Sequence, residues 1–461
     1  MLAEEKESCA TVMARIEELS EAYEAALARI EQLEERLGLN SGNSDKPPSS
    51  DPPWDKVKRP GKHKKRRQGG QPGHRGHQRA LIDAADVDRI EDVRPTTCAA
   101  CATPLNGTDP APRRHQVAEL PKPKVIVTEY RVHRLTCRSC GHVTAGTLPD
   151  EAGRSAFGAR AHATTAWLTG RLGVSKRQVV ELYETLFGLR LSPASVCAME
   201  RRVADALAEP YAEAWSSARA SPVVHVDETP WFQQRQLGYL WVMATQVATV
   251  FRIQERRDTE AAKAMLGPDF AGVACTDRLG AYRWIERRGL CLAHILRNMQ
   301  RIAQRPGSEW YGTRLVATLR RVIAVWHGYD RGEETEVDMR AAVAEDRTRF
   351  ERFLRAAAFR APAEASQRQA TDLLPEVDLL WTFLDVEGLT PTNNEAERAV
   401  RPAVLWRKRS GGTQSPAGSR FAERILTAIA TLRHQQRDAV PFLHDAYVAH
   451  VNNEPSPSLV R

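Results

Sequence analysis

Two apolar runs that each end on an aspartate constrain this chain more than any other feature. The first is Val223-Val224-His225-Val226-Asp227, followed by Glu228-Thr229-Pro230-Trp231. β-Branched residues favour extended backbone and proline cannot donate to a sheet ladder, so a strand is expected to stop at Pro230, with Asp227 at or near its end. Tyr239 to Gln246 and Val250 to Ile253 read as two more strands, Ala261 to Leu266 as a helix, and Gly272 to Asp277 as a fourth strand closing on the second aspartate. Two strand-end carboxylates on adjacent strands can hold a divalent metal through oxygen.

At 461 residues the chain exceeds one ordinary core, which implies several domains. Its formal charge of +8 suits a polyanionic partner. No run of residues reaches the length that spans a bilayer, and the expectation is a soluble cytoplasmic protein, nucleoid-associated and without a membrane partner. Eight cysteines include two close pairs, a pattern that in a reducing compartment favours metal over disulfides.

Val12, Ile16, Leu19, Tyr23, Ala26, Ile30, Leu33 and Leu37 alternate in steps of four and three, the heptad spacing of a coiled coil. Residues 1–39 are thus expected to be a dimerisation helix, giving a homodimer or higher oligomer. Residues 40–80 read as a flexible linker running into a basic arm. Over 56–79 this arm carries ten Lys or Arg and no acid, among them Lys62, Lys64, Lys65, Arg66 and Arg67, and it suits DNA phosphates through counterion release. A solvated charge run is the plainer alternative.

Cys98-x-x-Cys101 and Cys137-x-x-Cys140 have the spacing of two knuckles that together make a four-thiolate, structural zinc site, here within a ribbon at 81–150. Lys124 to His133 alternates as a strand between them. Over 151–215 the periodicity is helical: Ala161 to Leu172, then a helix capped by Ser175 and closed by Gly188, then one opened by Ser192-Pro193. Helix, short turn and helix fit a helix-turn-helix for DNA.

Strand, strand, strand, helix, strand, with an aspartate closing the first and fourth strands, is the order of an RNase H-like fold. Its first part is assigned to 216–296. A metal-assisted phosphoryl-transfer site needs a third acid. The best source is Asn393-Asn394-Glu395-Ala396-Glu397-Arg398, a helix start within 386–440, followed by Arg401, Arg407 and Lys408. Glu395 and Glu397 lie about 200° apart on a helix, so at most one faces the metals. Residues 297–385 read as a helical insertion and 441–461 as a C-terminal helix with a frayed tail. Cys291-x-x-His294 precedes the insertion; two ligands do not make a metal site, and the spacing also suits packing. His225 is expected on the same strand face as Asp227, as a neighbour rather than a ligand.

The chain resembles bacterial transposases of the insertion sequence 66 family, DDE-type enzymes. The resemblance rests on NSGNSDKPPSSD, GGQPGHRGHQR, the paired CxxC, HVDETPW, TDRLGAY, CLAH, and NNEAERAVRP followed by Arg407-Lys408. It implies a catalytic triad of Asp227, Asp277 and Glu397 holding two Mg²⁺ (or Mn²⁺). It also implies double-stranded DNA as partner, both element ends and target, and small accessory proteins from the same element. Arg278-Leu279 stands where the family usually has Gly-Tyr. The expected activity is nicking and 3′-hydroxyl strand transfer. The alternative is a catalytically silent DNA-binding regulator built on the same scaffold.

Overall fold

The computed structural model describes residues 13–44 except 16, 27–28, 31–32 and 34–36, and then 51, 79–149, 152 and 155–460. The basic arm with Lys62, Lys64, Lys65, Arg66 and Arg67 lies outside the described residues. The chain divides into two compact units, Lys58–Val125 and the remainder, Met1–Val57 with Ile126–Arg461. In the smaller unit Asp83 caps a 3₁₀ turn over Ala84–Asp86, and Gln116 bonds both backbone groups of Ile82. No residue between 79 and 149 is buried.

In the larger unit residues 17–26 are helical, and Leu19, Tyr23, Ile30, Leu33 and Leu37 of the heptad stripe are exposed. The linker expected from residue 40 starts instead as a closed polar turn. Asn43 Nδ2 donates to Gly38 O (2.9 Å) and to Gln304 Oε1 (2.6 Å), and Ser44 Oγ donates to Asn40 O. Short Asn and Ser side chains satisfy the turn's own backbone, which lets Asn43 and Ser44 be buried.

Strands β1 (Arg134–Thr136) and β2 (Val143–Ala145) pair antiparallel, Leu135 opposite Thr144. This short hairpin replaces the strand expected over 124–133. Those residues are in no strand, and their alternation has no apolar layer to face.

Helices α1 (Ala159–Arg171), α2 (Lys176–Phe187), α3 (Pro193–Ala206) and α4 (Ala208–Arg219) follow. Ser175 makes a capping box with Gln178, Gly188 closes α2 in the left-handed conformation (φ 64°), and Ser192 caps α3 ahead of Pro193, as the sequence predicts. Leu168, Val179, Tyr183 and Val196 form a small core among the first three.

The central sheet contains β3 (Val223–Gln233), β4 (Gln236–Ala244), β5 (Thr249–Gln254), β6 (Val273–Thr276) and β7 (Arg288–Leu290), in the order β5-β4-β3-β6-β7. The first three form an antiparallel meander; β6 runs parallel to β3, and β7 parallel to β6. Helix α5 (Thr259–Leu266) makes the crossover. The fifth strand, three residues long, was not expected.

Strand β3 does not stop at Pro230, which pairs with Tyr239, so Asp227 lies mid-strand. β6 pairs only with Val223 to His225, leaving one edge of β3 open beyond them. The carbonyls of Pro230 and Phe232 point to that edge, accepting from Arg407 and from the Thr413 N–H. A proline's missing N–H falls on the same side as its carbonyl, where no strand needs it.

The two sheet faces bury different sets. Val224, Val226, Trp241, Met243 and Ala274 join one core with α1, α3, α4, α5, α11 (Pro416–His434) and α12 (Ala439–Asn452). Trp231, Leu240, Val242 and Phe251 face α10 (Asn394–Ser410) and α11 on the other side. Beside them Val273, Cys275 and Leu290 pack against α6 (Leu292–Gln304), α7 (Glu309–Asp330), α8 (Glu336–Arg360) and α9 (Glu364–Leu373). The expected frayed tail is docked: Leu459 is buried, and its N–H donates to Glu213 Oε2 (2.8 Å).

Candidate active site

Of the three parallel strands, β6 and β7 end at one edge of the sheet while β3 runs on past it. His225 pairs with Cys275, and Cys275 with Gly289. Two residues beyond the first pair come Asp227 on β3 and Asp277 just past β6; two beyond Gly289 comes Cys291, whose N–H donates to Thr276 O (3.0 Å). Carboxyl ends of parallel strands are where open α/β sheets gather ligands.

Helix α10 delivers the third acid. Asn393 precedes its first residue, and Asn393 Nδ2 donates to Val226 O (2.7 Å) on the open edge of β3. Its backbone N–H donates to Cys291 Sγ (3.1 Å), tying α10, β3 and the end of β7 together at one point. Glu397 follows one turn later, its N–H bonded to Asn393 O (3.1 Å). Ala396, Val400 and Ala403 bury the sheet-facing side of α10.

Asp227 registers opposite Val242, on the face that α10 covers. Burial pushes its carboxyl well above the usual carboxylate range, and the like charges of Glu228, Asp277 and Glu397 push the same way. Asp277 Oδ1 accepts the Leu279 N–H (2.9 Å), and Arg257 stands 3.8 Å from Oδ2. Burial also raises the Glu397 carboxyl, against the opposing charges of Arg297 and Arg398. Glu395 points elsewhere, with Oε2 3.8 Å from Nε2 of the buried His225. Of the two glutamates, Glu397 is the one whose charge reaches Asp227.

Several neighbours were not legible in advance. Glu228, next to Asp227 but on the opposite sheet face, is buried between Arg257 (2.6 Å) and the Tyr282 hydroxyl. The same Arg257 thereby joins Glu228 to Asp277. Arg278, where the family pattern has glycine, spends its guanidinium on Glu376 (2.9 Å) and Asp372 O (2.7 Å). Arg407 bonds Thr229 and Pro230, so it clips α10 to β3, whereas Arg398, Arg401 and Lys408 are exposed.

The cysteine pairs sit on two turns of one design. Cys98 accepts from the Ala102 N–H (2.9 Å) and its own N–H donates to Thr103 O (2.8 Å); Cys137 accepts from Gly141 and donates to His142 O, each at 2.8 Å. Ala102 (φ 56°) and Gly141 (φ 73°) take the left-handed conformation that closes each turn. Hydrogen bonds lower two of the thiols: Cys101 chiefly through the Thr103 side chain, Cys137 chiefly through the Cys140 backbone.

The chain is thus a mixed α/β protein with carboxylates gathered beside β3 and β6 and two paired-cysteine turns ahead of them in sequence. The family model for the Transposase IS66 family matches residues 154–421, more than half of the chain, and the chain belongs to that family. The zinc-finger binding domain of transposase IS66 matches residues 95–141, which supports a structural zinc ion. A family of unknown function (DUF6444) matches residues 4–80. No curated relative matches the chain. Among the described residues no helix is long and apolar enough to cross a membrane.

Proposed function

We propose that the chain is a DDE-type transposase that nicks DNA at the ends of a mobile element and joins the freed ends to target DNA. One observation carries the reading. The β3–β6 register brings Asp227 and Asp277 out side by side, on the sheet face against which α10 holds Glu397. Sheet order and strand directions support an RNase H-like core.

The donors fit a hard divalent cation. They are carboxylate oxygens, and Asp227, raised first by burial and then by the like charges of Glu228, Asp277 and Glu397, would ionise more readily beside compensating positive charge. Two Mg²⁺ or Mn²⁺ ions, when bound, supply Lewis acidity at the attacking and leaving oxygens. Asp227, Asp277 and Glu397 would hold them. Arg257 keeps Asp277 oriented, and Arg398 and Arg401, exposed on α10, are available to DNA phosphates. In the first step a water oxygen bonds to phosphorus and the 3′-oxygen leaves, taking a proton. In the second, that 3′-oxygen loses its proton and bonds to a target phosphorus, and the target strand's own 3′-oxygen leaves, taking a proton.

Other segments serve the DNA. Each cysteine turn offers two thiolates, Cys98 with Cys101 and Cys137 with Cys140, for a zinc that orders the finger. Helices α1 to α3 form a helix-turn-helix, with Arg201 exposed on α3. The exposed heptad stripe at the N-terminus pairs protomers, so that two ends are held together. The basic arm with Lys62, Lys64, Lys65, Arg66 and Arg67 lies along phosphates, and Lys408 adds to that contact.

The test uses purified full-length protein, labelled DNA carrying the flanking element's ends, Mg²⁺ or chelator, and the Asp227→Asn variant. Metal-dependent nicking that leaves a 3′-hydroxyl, lost in the variant while end binding persists, is expected. Equal nicking by the variant would sink the reading, and end binding without nicking by the wild type would favour a silent regulator.

A further inference from the structure

The side of Glu397 turned towards α6 is equipped for a second ion of a different kind. Cys291 Sγ, a ring nitrogen of His294 and a carboxylate oxygen of Glu397 lie within 4.8 Å of one another. His294 Nδ1 and Glu397 Oε1 are both buried and without hydrogen-bond partners; they face each other across 3.6 Å, and Arg297 Nη2 stands 3.7 Å from the same oxygen, an ion pair without a hydrogen bond. Two buried polar atoms left unsatisfied at such a spacing need an account, because each costs free energy unless something sits between them. Tetrahedral zinc with bonds near 2.0–2.1 Å to nitrogen and 2.0–2.2 Å to oxygen separates such donors by about 3.3 Å. The observed gap is therefore close to a ligand–ligand distance and too long for a hydrogen bond.

Burial pushes the Cys291 thiol up to about 11, so it is protonated near neutral pH and would give up its proton only to the ion, helped by its surroundings. Cys291 stands at the N-cap of α6, where the helix end favours negative charge, and its sulfur accepts the Asn393 N–H. His294 sits one turn further along the same helix start, and Glu397 reaches in from α10. Burial drives the His294 imidazole down to about 3, so the ring is neutral near neutral pH, as a ligand must be.

We propose that Cys291, His294 and Glu397 form a binding site for a thiophilic divalent cation of the zinc type, with one coordination position left to water. Sulfur and imidazole select such an ion over magnesium. Glu397 is then a shared carboxylate: Oε1 belongs to this ion, and Oε2 remains for the site with Asp227 and Asp277. That last clause rests on the proposed function; the existence of the site does not.

The experiment counts metal and needs no DNA. Full-length wild type, His294→Gln, and a chain with Cys98, Cys101, Cys137 and Cys140 all changed to Ser are equilibrated with zinc in a weak chelator buffer, and bound zinc is measured by mass spectrometry. The wild type is expected to hold one zinc more than His294→Gln. The chain lacking the four knuckle thiols should hold one that disappears on adding His294→Gln. Equal counts in wild type and His294→Gln would overturn the site.

A second measurement guards against misfolded variants. Co²⁺ added to the folded chain lacking knuckle thiols should give a near-ultraviolet thiolate charge-transfer band. Its absence would overturn the site, and its loss in Cys291→Ser would support it. Neither readout depends on nicking, so failure of this site and failure of the transposase reading are told apart.

Discussion

The zinc-finger segment and the carboxylate cluster gather their side chains by opposite routes. In the segment the donors are sequence neighbours on two turns, and no residue from 79 to 149 is buried. In the cluster Asp227, Asp277 and Glu397 come from two strands and a distant helix, above a layer in which Trp231, Leu240 and Val242 are fully buried. With no buried residue over 79–149, the segment is expected to owe its order to the zinc that its family match supports, whereas packing sets the geometry of the cluster. Zinc removal is therefore expected to have the largest effect of any change here. Structural zinc supplies about 10–16 kcal/mol in finger peptides. Chelation or Cys137→Ser should strip hydrogen-exchange protection from residues 95–141 and leave the thermal transition of the helices and sheet in place. Protected amides in the finger after complete chelation would break the comparison.

The converse test is Trp231→Ala. Trp231 is fully buried on β3, stacks edge-on with Trp406 (6.1 Å between centroids) and donates to Thr413 (3.2 Å). Removing it should cost about 3–5 kcal/mol in denaturant unfolding. It should loosen α10 against β3, and with it Glu397, while the zinc content of the finger stays unchanged.

This difference also explains what could be read in advance. The knuckles were legible because metal ligands on a tight turn must be close in sequence. Asp227 and Asp277 were legible because each closes an apolar run. The continuation of β3 through Pro230 was not, since it depends on which edge the strand leaves open, a property of β6 and α10. Nor was the three-residue β7, too short for any periodicity. The Cys291–His294–Glu397 cluster was half legible: the helical pair was visible, but the third donor arrives only when Asn393 pins α10 to both β3 and Cys291. Arg257 carried no signal, and Glu228 and Tyr282 stood inside HVDETPW and TDRLGAY with no role to read, because buried ion pairs have no fixed spacing. Asn43 and Ser44 looked like linker because their partners include Gln304, far along the chain.

The opposite sheet face offers a smaller perturbation. A Cβ on Gly170 of α1 would lie 2.5 Å from Ile425 Cγ1 of α11, a collision neither helix can absorb without moving. Gly170→Ala should cost about 1–3 kcal/mol by overpacking. It should leave metal binding at the finger and at the carboxylates unaltered, since neither leans on that contact. A loss of finger zinc in this variant would mean that the segment draws on the core after all.

The smallest effect sharpens the comparison most, because it concerns charge rather than packing. In the finger, hydrogen bonds lower the Cys101 and Cys137 thiols, so the turns favour the thiolate that zinc requires. In the cluster, burial and neighbouring carboxylates raise Asp227, so the metal-free fold resists the ionised form. A carboxyl whose folded pKa lies above its unfolded value contributes stability that is present below the unfolded value of 3.8 and is lost as pH rises towards the folded value. Metal-free wild type should therefore lose stability on going from acid to neutral pH relative to Asp227→Asn, which has no charge to bury. By neutral pH the metal-free variant should melt higher than the wild type. Magnesium should close that gap by stabilising the wild type alone, because binding to the folded state offsets the repulsion. Thermal melts at two pH values, with and without Mg²⁺, read both effects. If the variant melts lower at neutral pH without metal, Asp227 is a structural group, and the cluster is then held together by its own contacts rather than prepared for an ion.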